Sequence, residues 1–219
     1  MKIIITGSQG TIGTRLTPHF PEKIGIDIKP GADIRANLEF IDYEDRDVRR
    51  AFETANALIH LATTADTTAP ADRHWQDVVN TSRLLEAARA RGIKTLVVAS
   101  SDLAMPDNED DLTTFGHGKR VLEIMTAMYD HEPGYHARPV RVGWVPREPG
   151  DMQTTDEKLR ARIWSDKRLV SAFKKALTQP PSATAPSQKE TVKTETNKTP
   201  NSDAPSSKTE NSKVAKPEG

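Results

Sequence analysis

The segment TGSQGTIG sets glycines at 7, 10 and 13, directly after the apolar run KIIIT and directly before a helical pattern. A chain leaving a strand this way needs a tight reversal at the first glycine. It needs bare backbone close to a ligand at the second and close packing of helix on strand at the third. The pyrophosphate of a dinucleotide suits that geometry, because the amides at a helix start favour anions. The pattern carries weight from its position between strand and helix; as an isolated glycine spacing it would equally describe an ordinary turn.

The rest of the chain alternates in the same manner. Short β-rich runs lie at 2–6, 23–27, 38–41, 57–62, 94–100 and 138–145, and helical patterns fall near 11–19, 45–55, 71–91 and 115–130. Several of the runs are apolar throughout, as strands covered on both faces are. The alternation predicts an α/β fold, a doubly wound parallel sheet built from right-handed crossovers. Pro139 falls near a strand start, where a missing amide is tolerated. A last amphipathic segment places Leu169, Val170, Phe173 and Leu177 on one face. From Gln179 the chain has no aromatic residue, no leucine and no isoleucine, and Pro, Ser, Thr, Lys and Glu dominate. Such a stretch cannot bury enough apolar surface to offset its ordering entropy. The expected organisation is one folded domain over 1–178 and a disordered low-complexity tail over 179–219.

Asp27 stands twenty residues after Gly7, at the end of the second apolar run. A carboxylate there accepts hydrogen bonds from ribose hydroxyls and repels a 2′-phosphate, which favours NAD over NADP; Lys29 softens the repulsion. The 31 basic and 31 acidic residues cancel, which removes any global electrostatic argument for nucleic acid. There is no cysteine, hence no disulfide and no thiolate metal site, and no metal centre is expected. The N-terminal apolar run is too short for a signal peptide, and no stretch reaches the length of a membrane span. The expectation is a cytoplasmic protein without membrane partners.

These motifs resemble the extended short-chain dehydrogenases, the NAD-dependent epimerase/dehydratase family. Thr6–Gly13 is similar to the family's glycine fingerprint, DYED (42–45) to its Asp-Leu-x-Asp element, and HLATT (60–64) to the segment under the cofactor. VNTSRLLEAARARGIKTLVVASS (79–101) is similar to its asparagine-bearing helix and serine-bearing fifth strand. VRVGWV and IWSDKRLV resemble the uronate dehydrogenase branch in particular. The resemblance implies a Rossmann-type domain that holds NAD through Gly7, Gly10, Thr11, Ile12, Gly13, Asp27, Asp42, Tyr43, Leu61, Ala62, Asn80 and Lys119. It implies Ser101 and Lys119 as catalytic apparatus, Ser101, Asp102 and Arg141 as contacts for a small sugar-type ligand, and a homodimer through the helices near 71–91 and 115–130.

The departure from the family lies in FGHGKRVLE (115–123). A tyrosine four residues before the lysine is the family's proton carrier, its phenol made acidic by lysine and nicotinamide. Phe115 occupies that position. His117 is two residues on and points to another face of the helix, and Tyr129 lies too far along it. The loop between Ser101 and Phe115 is short for the family, its DNEDD run (107–111) reads as a solvated acidic loop, and the C-terminal substrate lobe is replaced by the tail. At the start of the last helix Arg168 stands where a capping-box acid would pair with Ser165. Two functions follow: an NAD(H)-binding protein with impaired turnover that reports cofactor state to a partner, or an active NAD-dependent oxidoreductase or epimerase using another proton path.

Overall fold

The computed structural model describes residues 1–178, so the expected tail at 179–219 lies outside the described residues. Six strands, β1 (Ile3–Thr6), β2 (Lys23–Asp27), β3 (Ile34–Arg35), β4 (Ala57–His60), β5 (Thr95–Ser101) and β6 (His136–Val142), form one parallel sheet in the order β3-β2-β1-β4-β5-β6. The chain steps outward from β1 to β3 and then crosses to β4 on the other side. That reversal opens a crevice beyond the carboxyl ends of β1 and β4, where such sheets bind ligands.

Strand side chains alternate between two cores. Ile4, Leu58, Leu96 and Val98 pack under α2 (Arg46–Thr54), α3 (Ala71–Ala90) and α4 (Thr114–Asp130), meeting Phe52, Leu84 and Leu122. Ile3, Ile5, Ile59, Val97 and Val140 face the opposite layer, α1 (Gly13–Leu16) and α6 (Asp166–Thr178), through Leu16, Leu169 and Phe173. A short α5 (Glu157–Ala161) precedes α6. Ala176 joins Leu169 and Phe173 as the buried stripe of α6, while Val170 and Leu177 are only partly covered. Among the described residues no helix is long and apolar enough to cross a membrane.

Two details differ from the sequence expectation. The run at 38–41 is not a strand. β3 is Ile34–Arg35, paired to Ile26 and Asp27, and the apolar run that follows turns, with Phe40 N donating to Asn37 O and Glu39 N to the Asn37 side chain. Leu38 and Ile41 are buried whereas Phe40 is 77% exposed, the spacing of a turn rather than of alternation along a strand. Pro139 sits mid-strand opposite Val98, and β6 tolerates it because it is the sheet's edge with a single neighbour.

Candidate functional site

The turn after β1 is held by contacts that only glycine permits. Gly7 has a φ of 71°, and a Cβ there would lie 2.8 Å from the backbone nitrogen of Ala62. A Cβ on Gly13 would lie 2.1 Å from the Gly7 carbonyl oxygen. Gly7 N donates to Ile26 O, tying the turn to β2. The cleft beside it has a volume of about 320 Å³ and carries Gly7, Gly10, Asp27, Leu61, Ala62 and Asn80 on its walls. Asp27 closes one side: its Oδ2 accepts from Gln9 N at 2.8 Å and its Oδ1 from Lys29 N at 2.9 Å. Asn80 reaches the opposite wall from α3, its Oδ1 accepting from Gln76 Nε2 at 2.9 Å.

Below the cleft floor a fully buried imidazole joins three elements. His60 Nδ1 lies 2.7 Å from Thr6 Oγ1 on β1, and Nε2 lies 2.9 Å from Thr81 Oγ1 on α3. Thr81 spends its own proton on Asp77 O, so it accepts from Nε2–H, and Thr6 donates to Nδ1. Burial pushes the His60 pKa down to about 3, and the positive charge of Lys119 adds to the effect. The ring is a neutral brace.

Lys119 and Phe115 project from one face of α4, four residues apart. Lys119 is 8% exposed; its ammonium donates to Thr63 Oγ1 at 2.6 Å and to Ala99 O at 3.5 Å. Burial lowers its pKa to about 8, against the opposing pull of Asp77. Phe115 is buried, its ring centre 5.4 Å from Lys119 Nζ and packed edge-on against His74. At the end of β5, Ser101 Oγ donates to Asp102 Oδ1 and accepts from Leu103 N. The Asp102 carboxylate is gripped by both arms of Arg162, at 2.7 Å each.

The sequence profile of the NAD dependent epimerase/dehydratase family matches residues 3–145. The chain belongs to that family. No curated protein sequence matches it. Among solved structures, uronate dehydrogenase from Agrobacterium tumefaciens is 21% identical, with a TM-score of 0.62 over 82% of this chain and 72% of that one. A short-chain dehydrogenase/reductase superfamily protein from the same organism, with bound NAD, is 24% identical, with a TM-score of 0.56 over 67% of this chain. MoeE5, in complex with UDP-glucose and NAD, is 21% identical, with a TM-score of 0.57 over 69% of this chain. This chain spans 50% of the length of that short-chain dehydrogenase and 58% of MoeE5. At these identities the likeness shows a shared fold.

Not every residue assigned from the sequence to this family's site reaches the cleft. Thr11 and Ile12 lie in the turn before α1, where Thr11 O accepts from Arg15 Nη1 and Ile12 packs toward the α1 and α6 core. Asp42 lines a separate hollow beside α2, and Tyr43 packs edge-on against Phe52. With β3 ending at Arg35, the residues that follow it on the cleft wall are Ala36, Asn37, Leu38 and Glu39, ahead of DYED. Arg141 is not among the residues on the cleft wall and grips Glu123 at 2.8 and 2.6 Å. His117 is exposed, and Tyr129 is buried with its hydroxyl on Ile93 O. Sequence reasoning missed His74, Asp77 and Arg162, and took Thr63 only as part of HLATT. The i, i+3 spacing of Asp77 and Asn80 on a helix aimed at the sheet end was the one signal available for any of them.

Proposed function

We propose that this chain is an NAD(H)-binding protein of the sugar dehydrogenase or epimerase type, slow in turnover because Phe115 replaces the proton-carrying tyrosine, and that it reports cofactor state to a partner. What supports the reading is the contrast between the two halves of the site. The dinucleotide half keeps a glycine turn that a Cβ would block and a buried carboxylate at the end of β2. The catalytic half holds Lys119 and Ser101 with a phenyl ring where a titratable group is needed.

In this reading the Gly7–Gly13 turn receives the pyrophosphate, Asp27 accepts from the adenosine ribose, and Leu61 and Ala62 lie under the dinucleotide. Lys119 holds the nicotinamide ribose and Asn80 stands across the cleft. Bound NAD supplies a hydride acceptor. Ser101 orients a small sugar-type ligand, and Asp102 stands beside it. Phe115 offers no lone pair and no proton, so the ligand's hydroxyl proton has no acceptor at that position. On the adenine side the cleft wall carries Asn37 and Leu38, with Asp42 and Tyr43, the residues the family resemblance puts there, following in the chain.

Calorimetric titration with NAD and NADP tests the cofactor assignment. NAD binds more tightly, and Asp27→Ala narrows the gap by removing the repulsion of a 2′-phosphate. Equal binding of both by the unmodified protein removes the role given to Asp27. A turnover screen with uronates and sugar nucleotides tests the second half: brisk reduction of NAD overturns the impaired-turnover reading.

A further inference from the structure

Between α3, α4 and the loop after β4 lies a cavity of about 10 Å³, walled by Thr63, Thr64, His74, Asp77, Phe115 and Lys119. That is space for the centre of one water molecule. His74 is 4% exposed, and its Nε2 is buried without a hydrogen-bond partner. The ring is held in place by its edge-on contact with Phe115, 5.6 Å between ring centres at 78°. Native interiors leave few ring nitrogens unpaired, and those that remain call for a water or a chemical role.

The opposite wall supplies the complement. Of the three protons on the Lys119 ammonium, two are directed to Thr63 Oγ1 and Ala99 O. The third is available to a water in the cavity, and that water can in turn donate to His74 Nε2. The charged and titratable groups that act on the pair are Asp77 on α3 and the neutral His60 on β4 for Lys119, and, weakly, Asp66 in the loop for His74.

We propose that His74 is the proton relay of Lys119, joined to it through one water in this cavity. Lys119 passes a proton to the water as the water passes one to Nε2, which leaves a neutral amine and an imidazolium; the imidazolium gives up its Nδ1 proton to solvent, Nδ1 being the ring nitrogen that is not sealed. On the proposed NAD(H) reading, on which this use of the relay rests, a dinucleotide in the cleft covers the cleft side of Lys119 and leaves His74 as its outlet. Oxidised and reduced nicotinamide differ by one positive charge, so an amine that holds its ribose prefers different protonation with each. His74 lets the amine follow.

The test uses the full 219-residue chain with ¹⁵N-labelled lysine, the Lys119 Nζ signal being the one lost in Lys119→Met. The rate of Nζ proton exchange with water and the midpoint of the titration are read across pH, without and with NADH. In His74→Phe, which removes the acceptor, exchange slows by about tenfold or more and the midpoint moves. In His74→Gln, which still binds a water yet carries no proton, exchange slows and the midpoint stays. Exchange within about twofold of wild type in a folded His74→Phe, or in His74→Gln should His74→Phe not fold, overturns the proposal. A protein group rather than water on Nε2 in a high-resolution crystal structure overturns it as well. If NADH moves no signal, the cofactor reading fails while the comparison without NADH still decides the relay.

Discussion

Lys119 is a charged group in a place that penalises charge, and its pH dependence shows how much. Its folded pKa is about 8, against 10.5 for the unperturbed side chain, with burial the dominant cause. Between those values the unfolded chain binds a proton that the folded chain has released, so stability rises with pH across that window. Below pH 8 the ammonium is charged in both states and the folded protein bears the full desolvation cost, about 3 kcal/mol. Lys119→Met is therefore expected to raise the melting temperature at pH 7, and the advantage to shrink as pH climbs from 8 to 10.5. A melting temperature that falls at pH 7 would mean that the bond to Thr63 outweighs the burial. The cost is consistent with a lysine kept for its chemistry. Phe115 is the partner that limits this chemistry. Phe115→Tyr should raise oxidation of a suitable sugar by roughly 10²- to 10⁴-fold, the usual worth of a positioned acid or base. Lys119→Ala in that variant should erase the gain. A Phe115→Tyr variant no faster than wild type, with the substrate shown to bind, would place the limit elsewhere.

At the scale of elements, His60 is the joint. One ring ties the end of β1 to β4 and to α3, and it can do so only while neutral. With a folded pKa of about 3 and an unperturbed value of 6.5, the unfolded chain gains a proton over that interval and the folded chain does not. Stability is thus complete above pH 6.5 and falls as pH drops toward 3, by about 2 kcal/mol at pH 5. Denaturant titrations at pH 7 and pH 5 should show this loss, and His60→Gln should show less of it from a lower starting point. An equal loss in both proteins would assign the acid sensitivity to other groups. Such joints explain which elements were legible in the sequence. Apolar strands and the glycine turn announce themselves by local pattern, and β1, β2, β4 and β5 with their helices lie close to where periodicity puts them. Leu38–Ile41 misled because two buried residues three apart in a turn resemble a β-rich run when only composition is read. Reading 38–41 as a strand also left Asn37, which stands on the cleft wall, without notice. The Asp102–Arg162 grip and the placing of His74 beside Phe115 join residues distant in sequence or on different helices, and no local pattern marks them.

For the whole molecule, the sheet's two faces are covered, and one of the covering layers presents an apolar face of its own. Trp75 and Val79 on α3 are 66% and 49% exposed, and Ile124 and Met128 on α4 are 61% and 67% exposed. Each pair is spaced i, i+4, so each forms a stripe along its helix, on the side turned from the core. α3 and α4 pack side by side against the same sheet face. The homodimer that the family resemblance implies runs through these two helices, and these side chains are what such an interface would cover. Two such surfaces related by a twofold axis would bring four helices together, each stripe meeting its equivalent. Burying these side chains only in the dimer makes folding concentration-dependent, so the melting temperature should rise with protein concentration. Sedimentation should give about twice the chain mass, and a Val79→Glu, Met128→Glu double variant should sediment as a monomer, because pairing like charges across the axis is unfavourable. NAD binding should survive the change, since neither residue lies on the cleft wall. A wild-type protein that sediments as a monomer at all accessible concentrations would leave this surface for a different partner and remove the second copy as its occupant.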